Sequence, residues 1–231
     1  KKKYLGANFG TSGSIQYNSG NHLLKTKGLI SSVLFSKKNE RIFMLEGTIN
    51  ACNGLFYHLE NLLNIPHNEM KWNDRSRNTI TNGVFIPGFN GLASPYWVSG
   101  FKDKFIDLPN DHNQIIRAAM ESIGFLTNDI ITCLKEAKIV IPNKILVSGG
   151  GARSTLLQFI SNITRLEIHT YKIKDKTAIG VYKLLNQELE TESEENLIDK
   201  MFYPSNYKKS RTKVFKWNES LKKNNFNKKL F

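Results

Sequence analysis

The stretch LVSGGGARSTLLQFI, Leu146–Ile160, passes from a strand-like run through three glycines into a helix-like pattern. Where a strand feeds a helix, backbone N–H groups converge and the helix dipole favours negative charge, so the junction can hold a phosphate. The same glycines would also let a helix pack closely on its strand with no ligand at all. Gly150 and Gly151 are candidates on the first reading. A second glycine turn, GTSG at 10–13, carries Thr11, whose hydroxyl and neighbouring amides can bond phosphate oxygens. Gly10 would allow the close backbone approach, although Gly10 and Gly13 would equally suffice for an ordinary hairpin. The five histidines, His22, His58, His67, His112 and His169, show no ligand spacing and read as surface or packing residues. Glu121, on a long apolar helix pattern, reads as a satisfied carboxylate of the core edge rather than an acid catalyst.

These turns need elements to position them. Residues 4–9, 14–17, 29–35 and 42–46 read as four strands joined by short turns, an antiparallel meander. From 48 to 64 the apolar residues Ile49, Cys52, Leu55, Phe56, Leu59, Leu62 and Leu63 fall on one helical stripe, closed by Pro66. A short apolar run at 83–87 leads into the irregular GFNGLASPYW. Asp111 is the expected N-cap of the clearest helix, which ends near Lys138. A strand at 144–148, a helix at 154–164, a strand at 166–170 and a helix at 175–189 follow. From about 195 the chain is polar and basic, with aromatic punctuation that includes Phe202 and Trp217. The reading gives one domain over 1–195 and a basic C-terminal segment over 196–231.

The chain has 231 residues and a net charge of +13. A basic balance suits nucleic acid, an anionic membrane or a phosphate-bearing ligand. Much of the charge sits at the ends, as solvated surface does, and no nucleic-acid module is visible. Neither a nucleic acid nor a membrane is expected as partner. The two cysteines, Cys52 and Cys133, are far apart, so the chain reads as belonging to a reducing compartment, the cytoplasm. The start at KKKYLG, without Met and almost within a strand, reads as a piece of a longer chain or a trimmed one.

Six segments in register resemble the C-terminal half of the FGGY carbohydrate kinases: FGTSGSIQYNSG, MLEGTIN, FIPGFNGLASPYW, IIRAAMESIGFLTNDI, LVSGGGARSTLLQFISNIT and KDKTAIGVYKLL. FNGLASPYW is similar to the F-x-G-L-x-A-P-Y-W segment of that family, and RAAMESI to its R-A-x-L-E-S-I. The resemblance implies an α/β, ribonuclease H-like (actin-like ATPase) domain, a mixed sheet flanked by helices. It implies ATP and Mg²⁺ as cofactors, a polyol or sugar as substrate, and an N-terminal kinase half as partner. A homodimer is a further expectation. That other half would carry the aspartate that acts as general base, so no catalytic residue is assigned in this chain.

By the same resemblance Gly150 and Gly151 approach the nucleotide, with Ser154 where the family has Asn. Gly10 and Thr11 face the β- and γ-phosphates. Asn53 and Tyr57 stand where the family helix bears Gly and Gln beside the adenine; a one-residue shift would bring Gly54 into place. Pro95, Tyr96 and Trp97 read as structural. Glycerol is the implied acceptor. A five-carbon ketose such as xylulose is the alternative, because GGGARS is more similar to the xylulose-kinase loop. A non-catalytic nucleotide-binding or interaction module is the third reading, prompted by the departures at Asn53, Tyr57, Val98 and Ser154.

Overall fold

A computed structural model describes residues 4–38, 40–172, 178, 180–182, 185, 197–205 and 207–228. The expected helix over 175–189, with KDKTAIGVYKLL, lies for the most part outside the described residues. Strands β1 (Leu5–Phe9) and β2 (Gly13–Gly20) pair antiparallel about the GTSG turn, with Phe9 opposite Gly13. Strands β3 (Ile30–Lys37) and β4 (Glu40–Ile49) form the next antiparallel pair.

The expected meander is corrected here: β4, not β3, lies beside β2. The strand beside β2 lies one place in from the edge of the sheet and must present apolar residues to the core. β4 does so through Leu45 and Ile49, whereas no residue of β3 is buried. The connection 21–29 exceeds the two to five residues or so of a hairpin loop, and it is held down by the Trp97 Nε1–H, which donates to Gly28 O at 2.8 Å.

The helix expected from 48 starts later. β4 continues to Ile49, and α1 covers Asn53–Leu63, so Ile49 and Cys52 are buried but precede the helix, and Leu62 is exposed. Two short helices, α2 (His67–Met70) and α3 (Trp72–Arg77), follow. β5 (Val84–Ile86) pairs with β6 (Lys104–Ile106) in a separate small sheet. Helix α4 (His112–Glu136) begins where expected: Asp111 Oδ1 accepts from the Gln114 amide at 2.7 Å. It packs against α1, α3 and β4, and against α5 (Ser154–Thr164), whose bounds match the sequence reading.

Strand β7 (Lys144–Ser148) runs parallel to β1, and β8 (Glu167–Tyr171) parallel to β7. β9 (Ile198–Phe202) closes the sheet antiparallel to β8, giving the order β3-β4-β2-β1-β7-β8-β9. The C-terminal segment is thus joined to the sheet, and its helix α6 (Tyr207–Lys223) is joined to the core. Trp217 is wholly buried, stacks on Phe125 at 5.0 Å, and donates its Nε1–H to Asp129 Oδ2 at 2.8 Å. The Tyr96 hydroxyl donates to the same oxygen at 2.8 Å. Burial pushes the Asp129 carboxyl up to about 6, against those two hydrogen bonds, which pull it down.

Lys213 of α6 reaches the buried Glu121 at 2.5 and 2.6 Å, and Arg117 Nε–H donates to it at 2.7 Å. Glu121 is therefore the satisfied carboxylate that its setting implied. Part of the end-loaded charge is consumed inside the fold rather than solvated. Cys52 and Cys133 are free thiols, both buried; burial raises both, Cys133 to about 11.

Candidate functional site

Because β1 and β7 are parallel neighbours, their carboxyl ends emerge side by side. Phe9 leads into Gly10, and Ser148 leads into Gly149. The two glycine loops are tied together by the Gly151 amide, which donates to Phe9 O at 2.7 Å. The carboxyl edge of parallel strands is where open α/β sheets take ligands.

The three glycines divide by role. Gly149 has φ +100°, and a Cβ there would strike Phe9 backbone atoms, so only glycine fits. A Cβ at Gly151 would lie 3.0 Å from Phe9 O. These two serve close packing of the loop on β1. Gly150 has nothing within 4 Å of a would-be Cβ and faces open space. Among the described residues, the Gly150 and Ser154 amides meet no acceptor. Arg153 precedes α5 as N-cap in extended geometry and gives no side-chain cap, and α5 has no acidic residue in its first turn. Free amides, the positive end of α5 and the Arg153 guanidinium together favour an anion.

They open onto a cleft of about 650 Å³. Gly149, Gly150, Arg153 and Ser154 form its glycine-loop wall, and Thr170 and Tyr171 from β8 join them. Asp199, Lys200 and Phe202 from β9 and Asn73 from α3 complete it. The volume lies within the roughly 300–1,000 Å³ of small-molecule sites. A nucleoside diphosphate therefore fits in size and in donor chemistry. Mg²⁺ keeps several waters and binds through phosphates plus one or two carboxylates, and Asp199 supplies a carboxylate in this lining.

Gly10 and Thr11 sit behind Gly151 rather than in that lining. Gly10 O accepts from the Asn53 amide at 3.0 Å, and Thr11 O accepts from the Cys52 and Gly54 amides at 2.9 and 3.0 Å. The first amides of α1 are thus satisfied by the GTSG turn, whereas the Thr11 side chain is exposed. Asn53 Oδ1 accepts from Trp72 Nε1–H at 3.3 Å, which spends its acceptor inside the fold. Gly54 packs on Thr11, 3.1 Å from Thr11 O to its would-be Cβ. Tyr57 does not line the cleft; it is about half exposed and stacks on His67 at 5.6 Å.

The sequence reading assigned none of Asn73, Thr170, Tyr171, Asp199, Lys200 and Phe202 to the site. Asn73 lies on a helix too short to show periodicity, and it fixes the head of α5 by accepting from the Thr155 amide at 3.3 Å. The β9 residues reach the site only because β9 pairs with β8. The alternation of residues 166–170 could have signalled a strand end there, but no local signal marks β9 as its neighbour. His58, read as a packing residue, pairs with Asp103 at 2.5 Å, and Asp103 Oδ1 accepts from the Gly88 and Phe89 amides at 2.7 and 3.1 Å. This fixes the start of the GFNGLASPYW loop on α1.

Residues 5–186 match the FGGY family of carbohydrate kinases, C-terminal domain. A glycerol kinase of Saccharolobus islandicus (strain L.S.2.15 / Lassen #1) is 27% identical over 230 residues, which cover 94% of this chain and 46% of that protein. A glycerol kinase of Shewanella woodyi is 29% identical over 212 residues, 85% of this chain and 42% of that one. Among solved structures, Plasmodium falciparum glycerol kinase with ADP superposes at a TM-score of 0.79 and 22% identity, covering 95% of this chain and 46% of that one. A ligand-bound xylulose kinase from Lactobacillus acidophilus does so at 0.73 and 19%, covering 95% and 47%. The chain spans about half the length of the relatives it matches. The fold is accordingly the ribonuclease H-like, actin-like domain, a mixed sheet flanked by helices. No helix among the described residues is long and apolar enough to cross a membrane.

Proposed function

Because the chain belongs to the FGGY family of carbohydrate kinases, as its C-terminal domain, we propose that it is the nucleotide-binding half of an ATP-dependent polyol kinase. Glycerol is the proposed acceptor and the cytoplasm the proposed location. One observation carries the nucleotide assignment: the unpartnered Gly150 and Ser154 amides at the head of α5, opening onto a cleft of nucleotide size. The full names of the first relatives support the acceptor.

Bound ATP would supply the phosphoryl group, with Mg²⁺ held on its phosphates. What this chain does is position and neutralise. The Gly150 and Ser154 amides and the α5 dipole bind phosphate charge, and Arg153 adds a cation at the same wall. The exposed Thr11 hydroxyl, on the turn behind Gly151, would donate to the terminal phosphates of the bound nucleotide. Phosphoryl transfer asks for positioning and charge neutralisation rather than covalent chemistry. The N-terminal half of the kinase would bring the polyol and the base that takes its proton. Closure of the two halves would exclude water, the competing acceptor.

A five-carbon ketose is the second acceptor reading, favoured by Gly149–Ser154 having the sequence GGGARS. The test is ATP-dependent phosphorylation by the full-length kinase that contains this segment, with glycerol and xylulose offered separately. Product from glycerol alone supports the proposal, and product from xylulose alone replaces the acceptor. Absence of any product while the protein binds ADP supports the non-catalytic module.

A further inference from the structure

Two consecutive residues of α3 hold the heads of two different helices. Trp72 Nε1–H donates to Asn53 Oδ1 at 3.3 Å, and Asn53 is the first residue of α1. Asn73 Oδ1 accepts from the Thr155 amide at 3.3 Å, and the Thr155 hydroxyl donates to Asn73 O at 3.3 Å. Thr155 is the second residue of α5. Each of these helix heads carries one of the two glycine turns. Gly10 O accepts from the Asn53 amide and Thr11 O from the Gly54 amide, so the GTSG turn rides on α1. The glycines 149–151 lead directly into α5.

Short as it is, α3 is fixed independently of those bonds. The Trp72 ring lies face to face with Phe56 of α1, with centroids 4.2 Å apart and planes within 2°. The Ser76 hydroxyl donates to Trp72 O at 2.6 Å, and Ser76 O accepts from Arg117 Nη1–H of α4 at 2.7 Å. Arg75 Nη1–H donates to Asn113 Oδ1, also on α4, at 2.8 Å. On the sheet side, the bond from the Gly151 amide to Phe9 O already joins the two turns. A single tie of that kind leaves a hinge. The second tie, through Trp72 and Asn73, lies on the helix side and removes the rotation. Holding binding groups at a fixed separation before the ligand arrives is what preorganisation requires.

We propose that Trp72 and Asn73 are positioning residues, a strut that sets the distance between the two glycine turns for a ligand that touches both. The proposal rests on the nucleotide reading of the cleft. A triphosphate reaching from the Gly150 and Ser154 amides to the Thr11 hydroxyl depends on that distance. A monophosphate held at the head of α5 alone does not.

The test is calorimetric titration of MgATP and, separately, of AMP into the parent chain, Trp72→Phe and Asn73→Ala. Trp72→Phe keeps a ring against Phe56 and removes only the N–H end of the strut, and Asn73→Ala removes the acceptor for Thr155. Circular dichroism and urea unfolding establish that each variant folds. Both variants should weaken MgATP by about tenfold, the effect of losing one hydrogen bond's worth of positioning. AMP should stay within about twofold of the parent. This split separates positioning from a merely structural role, which would move both ligands together. Equal weakening of MgATP and AMP, or unchanged MgATP binding in both variants, would overturn the proposal while leaving the nucleotide reading in place. Parent binding of MgATP no tighter than AMP would fault the two-turn reading itself and take the proposal with it.

Discussion

The Gly151 amide donates to Phe9 O at 2.7 Å and so joins the end of β1 to the loop that follows β7. This bond decides which of the three glycines can face a ligand. It draws the loop onto β1 so closely that Gly149 and Gly151 have no room for a side chain, and it leaves Gly150 turned to the open cleft. Gly149→Ala should therefore lower unfolding stability by about 2 kcal/mol or more, through backbone clash and positive φ. Gly150→Ala should stay within about 0.5 kcal/mol of the parent. Urea unfolding of the two variants checks the contrast.

Asp129 sits between the Tyr96 hydroxyl and the Trp217 indole N–H, and among the described residues no cation bonds to it. Its carboxyl is pushed up from 3.8 to about 6 in the fold. The protonated form is thus favoured by folding. The stability this gives is fully present below about pH 4 and is lost as pH rises through about 6. Asp129→Asn keeps an acceptor without the charge. It should remove this contribution to the pH slope between 4 and 6 and raise stability at pH 7, as read by urea unfolding across that range.

Much of this was legible in the residues. Asp111 marks the start of α4 by its side-chain type, and the bounds of β7 and α5 follow from a clean change of period at the glycines. The order of β3 and β4 was not legible, because it depends on which strand has apolar residues to spare for the core and on where Trp97 pins a loop. The β9 wall of the cleft was not legible either, since pairing with β8 is a long-range event. Trp217 looked like punctuation in a basic segment because its partner, Asp129, lies far away in sequence. At the site, the run of glycines was visible, but not that two of them serve packing.

Glu121 is buried against Arg117 and Lys213, and burial pulls the Lys213 ammonium down while Glu121 pulls it up. Glu121→Gln leaves two cations without their counter-charge. It should cost on the order of 3 kcal/mol, the range for breaking a buried pair from one side. Glu121→Gln/Lys213→Met should recover part of that loss, because the second change removes a buried cation. Thermal unfolding of the single and double variants measures the recovery.

Thr11 offers its hydroxyl from an exposed turn whose backbone is already bonded to Cys52, Asn53 and Gly54. Thr11→Val should leave stability within about 0.5 kcal/mol. It should weaken MgATP binding to the proposed two-half kinase by about tenfold, the worth of one charge-assisted hydrogen bond. Equilibrium dialysis with the nucleotide reads the second effect.

The most direct measurement is calorimetric titration of MgADP into this chain, with Gly150→Val beside it. Nothing in the fold lies within 4 Å of a Cβ at Gly150, so the variant should fold as the parent does. Binding by the parent at micromolar to millimolar strength, lost in Gly150→Val, is the result predicted by a nucleotide half-site built on the β7–α5 loop. Equal binding by both proteins would place the nucleotide elsewhere and contradict the assignment of this cleft.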